Sequence, residues 1–210
     1  DFDVVLFVGA PLDADKVARN MRPPPLASIE TRPWVRWMRR AVNASTNAAA
    51  MHVVHCRLTP AQATYPLGPA VQFLLLLRAT HAAGYRAFFV HEPDMYAVRP
   101  FWLDAVLSSL ELADDWWMRG SPYYSSDPWG FGSSHINGNA IYRADSAEFL
   151  RFVYSTLSAA RRPTGSNAQI NAHDVALWLR RHSVLRLCGS SHRWMATRFQ
   201  YTSVIANAGP

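Results

Sequence analysis

The segment Arg86-Ala87-Phe88-Phe89-Val90-His91-Glu92-Pro93-Asp94 constrains this chain most. A short apolar run ends abruptly in two carboxylates one residue apart. Ala87 to Val90 has the length and the aromatic and β-branched content of a buried strand. Pro93 cannot donate to a ladder, so the strand must stop before it. Glu92 and Asp94 are thereby expected at the carboxyl end of a strand, where open α/β sheets form their ligand crevice. Two hard oxygen ligands at such an edge suit Mg²⁺ or Mn²⁺, which in turn bind phosphate oxygens. A strand followed by an ordinary polar turn has the same pattern.

The rest of the chain alternates strand and helix signals. Val4–Val8 reads as a buried first strand closing on Gly9-Ala10-Pro11, and Asp13–Arg19 as a helix start broken at Arg22–Pro25. Trp34–Val42 is a weakly helical basic stretch and Met51–Cys56 a second strand. Ala70–Ala83 is a strong apolar helix capped by Gly84. Beyond the acidic segment, Pro100–Leu112 reads as a helix with Pro in its first turn, and Trp116–Arg119 as a short strand. Gly120–Ser134 reads as a long loop, Ile141-Tyr142 as a brief strand and Ser146–Ala159 as a helix. Asp174–Arg181 is expected to be helical, Val184–Leu187 a last strand, and the chain from Gly189 mostly irregular. The alternation predicts an α/β fold with a largely parallel sheet flanked by helices. A length of 210 residues, half of them hydrophobic, fits one domain. Its expected halves are 1–115 and 116–210.

No apolar run approaches the length that spans a bilayer; the longest, Val71–Leu77, is far too short. The net charge of +6 is almost wholly arginine, with Lys16 the only lysine. Apart from the pairs Arg39-Arg40, Arg161-Arg162 and Arg180-Arg181, the arginines are dispersed rather than gathered into a stripe, so no nucleic-acid partner is expected. Genomic base composition also produces arginine without lysine. Cys56 and Cys188 have no metal-site or redox spacing; they are read as one disulfide or as two thiols. Asn43-Ala44-Ser45 is an N-glycosylation triplet of a kind common by chance.

Other segments carry possible chemistry. The first-strand loop, Val8, Gly9 and Ala10, can bring backbone groups against a base or phosphate, or it is an ordinary strand-to-helix turn. Residues Gly120 to Asn139 hold Tyr123, Tyr124, Trp129 and Phe131, rings that stack on sugar faces, followed by the polar run His135-Ile136-Asn137-Gly138-Asn139. Asn and Gly in that run suit a positive φ. Asp174 opens a helix, where it is first a cap and alternatively a general base. His192 and Arg193 follow the last expected strand and become metal ligand and phosphate clamp if the tail folds over the site. The signatures of serine hydrolases and zinc sites are absent from the sequence.

Taken in order, these residues resemble the GT-A family of nucleotide-sugar glycosyltransferases. FFVHEPDMYAVRPFWL is similar to that fold's strand, acidic motif and following segment, with E-x-D in place of D-x-D. WWMRGSPYYSS and HINGNAIY are similar to the acceptor-side region that follows. The resemblance implies a single Rossmann-like domain whose first half binds the nucleotide sugar, UDP-linked by preference, and whose second half binds a glycan or glycoprotein. It implies Mn²⁺ or Mg²⁺ held by Asp94, by Glu92 directly, through water or beside the ribose, and by His192. Val8, Gly9, Ala10 and Arg193 would contact the donor. Tyr123, Tyr124, Trp129, His135, Asn137, Gly138 and Asn139 would hold the acceptor, and Asp174 would be the base of an inverting enzyme. It places such a protein in the Golgi lumen of a eukaryote, or in the cytoplasm of a bacterium or a viral host. Two other readings compete. A sugar nucleotidyltransferase would need a glycine-rich basic loop that Val8–Asp15 lacks, and a non-catalytic carbohydrate-binding domain would keep the aromatics without binding nucleotide and cation.

Overall fold

The structure, a computed structural model, describes residues 2–8, 33–44, 48–56, 58–59, 62–63, 67–91, 100–111, 115–123, 135–160, 173–188 and 194–202. It is a mixed α/β protein with two small sheets, and the chain divides into two compact units, Asp1–Leu76 and Leu77–Pro210.

In the first unit, strand β1 (Phe2–Val8) pairs in parallel with β2 (Ala48–His55), from Phe2 opposite Ala48 to Val8 opposite His55. Parallel neighbours need a crossover, since no tight turn can join them. Helix α1 (Pro33–Ala44) lies within that connection and packs on β2. Val35 is its fully buried anchor. Pro33 opens α1, where a missing N–H costs nothing. Cys56, which follows β2, is a free thiol, and burial pushes its pKa up to about 12.

Helix α2 (Leu67–Ala82) runs from the first unit into the second. Its end is a Schellman motif: Gly84 adopts φ 78°, its N–H donates to His81 O at 3.1 Å, and Tyr85 N–H donates to Thr80 O at 3.0 Å.

The second unit is built on four strands, β3 (Ala87–Phe89), β4 (Met118–Tyr123), β5 (His135–Arg143) and β6 (Phe199–Tyr201), in spatial order β3-β5-β4-β6. Helices α3 (Trp102–Ser109), α4 (Ala147–Ala160), α5 (His173–Cys188) and α6 (Trp194–Arg198) complete it. The largely parallel sheet expected from the alternation is not what forms here. β3–β5 and β4–β5 are antiparallel, and only β4–β6 is parallel. Strand and helix order alone does not fix ladder direction, and β4 and β5 follow one another without a described helix between them.

The core of this unit is aromatic. The Trp117 ring centroid lies 5.6 Å from Phe149, 5.3 Å from Phe152, 5.7 Å from Trp194 and 6.3 Å from Phe199, joining β6 and helices α4 and α6 around one side chain. On the far side, Trp116, Val106 and Ile141 pack with Phe89 and Trp102. Arg119 is buried in β4. It donates to Gln200 Oε1 at 2.7 Å and to Ser109 O, and its guanidinium lies 4.9 Å from the Trp116 ring centre; burial lowers its pKa.

Several local expectations change. Val184–Leu187 is not a strand: α5 continues through it to Cys188. No Gly or Pro interrupts 173–188, and Ser183 Oγ donates back to Leu179 O at 3.0 Å, holding the turn before the β-branched residue. The tail is not all irregular, since α6 and β6 dock it back onto β4. The opening of the Gly120–Ser134 segment is strand, with Pro122 tolerated beside a register shift. Helix α3 starts only at Trp102, because Phe101 takes the left-handed conformation at φ 57°. Residues 9–32 and 92–99, including the expected helix at Asp13–Arg19, lie outside the described residues.

Gly120 is where β4 and β5 approach too closely for a side chain. An added Cβ would meet Ile136 Cγ2 at 2.7 Å and Ala140 Cβ at 2.8 Å. Gly120→Ala is therefore expected to destabilise the protein by about 1–3 kcal/mol, read as a lowered Tm in thermal denaturation; an unchanged Tm would contradict the packing.

Candidate active site

Strand β5 carries a bulge. Its register with β4 runs from Met118 opposite Tyr142 to Gly120 opposite Ala140, and resumes at Pro122 opposite Ile136. Between those pairs, Ser121 alone faces Asn137, Gly138 and Asn139. Bulges of this kind free backbone groups from the ladder and re-aim side chains, commonly beside functional sites. Asn137 Oδ1 stabilises the detour by accepting the Asn139 N–H at 2.8 Å. The glycine within it does not serve the positive φ anticipated from its type. Among the described residues only Phe101 and Gly84 have positive φ. Gly138 is there because of close approach: a Cβ would sit 3.1 Å from His173 Cε1 and 3.4 Å from Asp174 Oδ2.

The freed Gly138 N–H donates to Asp174 Oδ2 at 2.9 Å, and the Asp174 Oδ1 accepts the Val175 N–H at 2.9 Å. Asp174 thus stands at the N-terminus of the sixteen-residue α5, where the helix dipole favours an anion. His135 Nε2 is 3.6 Å from Asp174 Oδ2, an ion-pair rather than a hydrogen-bond distance. Burial by itself would raise the Asp174 carboxyl. The His135 side chain, the charges of His173 and His135, and the Val175 N–H together outweigh that and hold it below the ordinary carboxylate range. The side chains of Asp174 and His135 keep 13% and 16% of their surface exposed. The carboxylate is therefore mostly but not wholly buried, and two of its roughly four lone-pair positions are already used.

A second layer orients this pair. Tyr142 Oη donates to Gly138 O at 2.8 Å, and Tyr142 Oη lies 3.1 Å from His173 Nε2. A carbonyl only accepts, so the single phenolic proton is committed to Gly138 and the Tyr142 oxygen must accept from His173 Nε2–H. His173 is buried, and desolvation lowers its pKa against the opposing pull of Asp174. It is therefore neutral near pH 7, as the Nε2–H tautomer. Sequence reading assigned no role to Tyr142 or His173. The available signal was spacing: Tyr142 lies four residues beyond Gly138, which puts both on one face of a strand.

Segments read separately in the sequence thus meet in space: His135 and Gly138 on β5 approach Asp174 of α5, and Asn137 and Asn139 flank Gly138 in the bulge. Tyr123 ends β4 opposite His135. Val8 ends β1 in the other unit. Gly9, Ala10, Glu92, Asp94, Tyr124, Trp129, His192 and Arg193 lie outside the described residues. Among the described residues no group of three or more His, Cys, Asp or Glu could hold a metal ion. The approach to Glu92 is described: β3 advances along β5 from Arg143 toward Gly138, and Val90 N–H still donates to Ala140 O at 3.0 Å, two residues before the acidic tripeptide. No protein-family model, curated protein or solved structure matches the chain.

The depressed His173 pKa makes a pH prediction. A group favoured neutral in the fold contributes stability that is fully present above its unfolded pKa of about 6.5 and is lost as pH falls below it. The corresponding loss from Asp174 begins only below about pH 3.9. Urea denaturation from neutral toward pH 5 should show falling stability in the native protein and a flatter profile in His173→Gln. Parallel profiles would contradict a neutral buried imidazole.

Proposed function

We propose that the chain is a metal-dependent glycosyltransferase of the GT-A type, transferring a hexosyl or pentosyl group from a nucleotide-diphosphate donor, UDP-linked by preference, to a hydroxyl of a glycan or glycoprotein. The observation that carries this reading is the convergence of Asp174 on the β5 bulge. An ionised, partly accessible carboxylate at a helix N-terminus stands against a polar strand segment suited to hold sugar hydroxyls. In this reading both units belong to one Rossmann-like domain, with the donor taken by the amino-terminal part and the acceptor by the carboxyl-terminal part.

Transfer forms a bond from the acceptor oxygen to the anomeric carbon and breaks the bond from that carbon to the diphosphate. The acceptor proton goes to Asp174, and the nucleoside diphosphate leaves. A carboxylate with a depressed pKa is a weak base, so it takes the proton late, once the acceptor oxygen has bonded and become strongly acidic. The Gly138 and Val175 N–H groups fix the carboxylate for that approach, and Tyr142 and His173 fix Gly138 in turn. His135 Nε2 stands 3.6 Å from that carboxylate, and the Asn137 Oδ1 is already committed to the Asn139 N–H. Two carboxylates and an imidazole, Glu92, Asp94 and His192, are a donor set that suits Mn²⁺ or Mg²⁺; bound there, the ion would neutralise charge on the leaving diphosphate.

Two variants test the reading against a panel of nucleotide sugars with Mn²⁺. Asp174→Asn should retain cation-dependent donor binding and lose roughly 10²–10⁴-fold in transfer rate. Asp94→Ala should lose the cation dependence of donor binding. Wild-type protein that binds no nucleotide with Mn²⁺, or an Asp174→Asn variant with full transfer activity, would overturn it.

A further inference from the structure

A second surface, independent of the sugar-transfer reading, lies on α1 in the first unit. This helix contains Arg36, Arg39 and Arg40 and no acidic residue. Spacings of three, four and seven place Arg36, Arg39, Arg40 and Asn43 on one side. There they line, with Pro33, an open concavity of about 400 Å³. Among the described residues, no carboxylate pairs with Arg36 or Arg40, and both are exposed. Trp37 flanks the arginine stripe with 65% of its surface exposed, while Val35 on the opposite side is fully buried. A helix anchored by one face thus offers cations bordered by a large indole.

We propose that this face docks the protein peripherally on a bilayer containing anionic phospholipid. The guanidinium forks match phosphate oxygens bidentately. Tryptophan belongs at the headgroup level, with its apolar body in the acyl boundary and its N–H in the wet layer. Charge complementarity identifies the partner as anionic. The exposed indole beside the arginines favours a lipid surface over duplex DNA, whose non-specific binding rests on phosphate contacts. No helix among the described residues is long and apolar enough to cross a membrane, so the contact is of the surface-lying kind.

The test is co-sedimentation of the full chain with vesicles of phosphatidylcholine alone and of phosphatidylcholine mixed with phosphatidylserine, with duplex DNA as competitor. Binding is expected only to the mixed vesicles. The double variant Arg36→Gln/Arg40→Gln should partition roughly thirtyfold more weakly, the sum of two arginine contributions at such a surface. Trp37→Ala should weaken the binding that survives at high salt. Glutamine and alanine both favour helix, so the variants keep the fold. Absence of binding to mixed vesicles, an unaffected double variant, or binding that is indifferent to Trp37 and abolished by duplex DNA would each overturn the proposal; the last would identify a nucleic-acid surface instead.

Discussion

One hydrogen bond organises the carboxyl-terminal unit: the Gly138 N–H donated to Asp174 Oδ2 across the gap between β5 and α5. It exists because β5 bulges over Asn137–Asn139 and releases that amide from the ladder. The bond fixes the start of α5 against the sheet, satisfies a backbone donor that would otherwise be buried unpaired, and places a carboxylate where His135, His173 and the Val175 N–H outweigh burial and hold it below the ordinary carboxylate range. The tight contact of Gly138 with His173 admits no Cβ without displacement. Removing the carboxylate would therefore strand a donor, and adding a methyl would press on the His173 ring. The same arrangement that builds the unit supplies a carboxylate held by two backbone N–H groups.

The legible and illegible parts of the fold divide along physical lines. Gly84 marked the end of α2 because a helix terminus needs a residue that tolerates positive φ, and a Schellman motif is what formed. Ala87–Phe89 read as strand because its apolar run is short and bounded. Ladder direction was not legible, since it depends on which distant segments meet. Nor was the fate of Val184–Leu187: three β-branched or aliphatic residues around Arg186 suit either structure, and continuity with the preceding turns of α5 decided for helix. The bulge was visible only as composition, an Asn-Gly-Asn run, and its conformation differs from the positive-φ turn such a run invites. No role for His173 or Tyr142 was legible, because their roles arise from contact between residues 31 apart in the chain.

The proposed transfer chemistry and the geometry support one another at a specific point. A sugar hydroxyl needs an oriented acceptor for its proton and polar groups nearby to hold the ring. The carboxylate of Asp174 offers the first, and His135 and the Gly138 amide beside it are polar neighbours of the second kind. The basic face of α1 answers a different need, since the exposed Arg36 and Arg40, which no carboxylate among the described residues pairs, act best on a surface of opposite charge.

The most direct measurement of the central claim is the amide signal of Gly138 in nitrogen–proton correlation NMR during titration with a panel of nucleotide sugars and diamagnetic Mg²⁺. A site built on Asp174 and the bulge predicts that at least one nucleotide sugar shifts that amide saturably, and only with the cation present. A folded protein in which Gly138 stays unmoved by every member of the panel, with and without Mg²⁺, would contradict it.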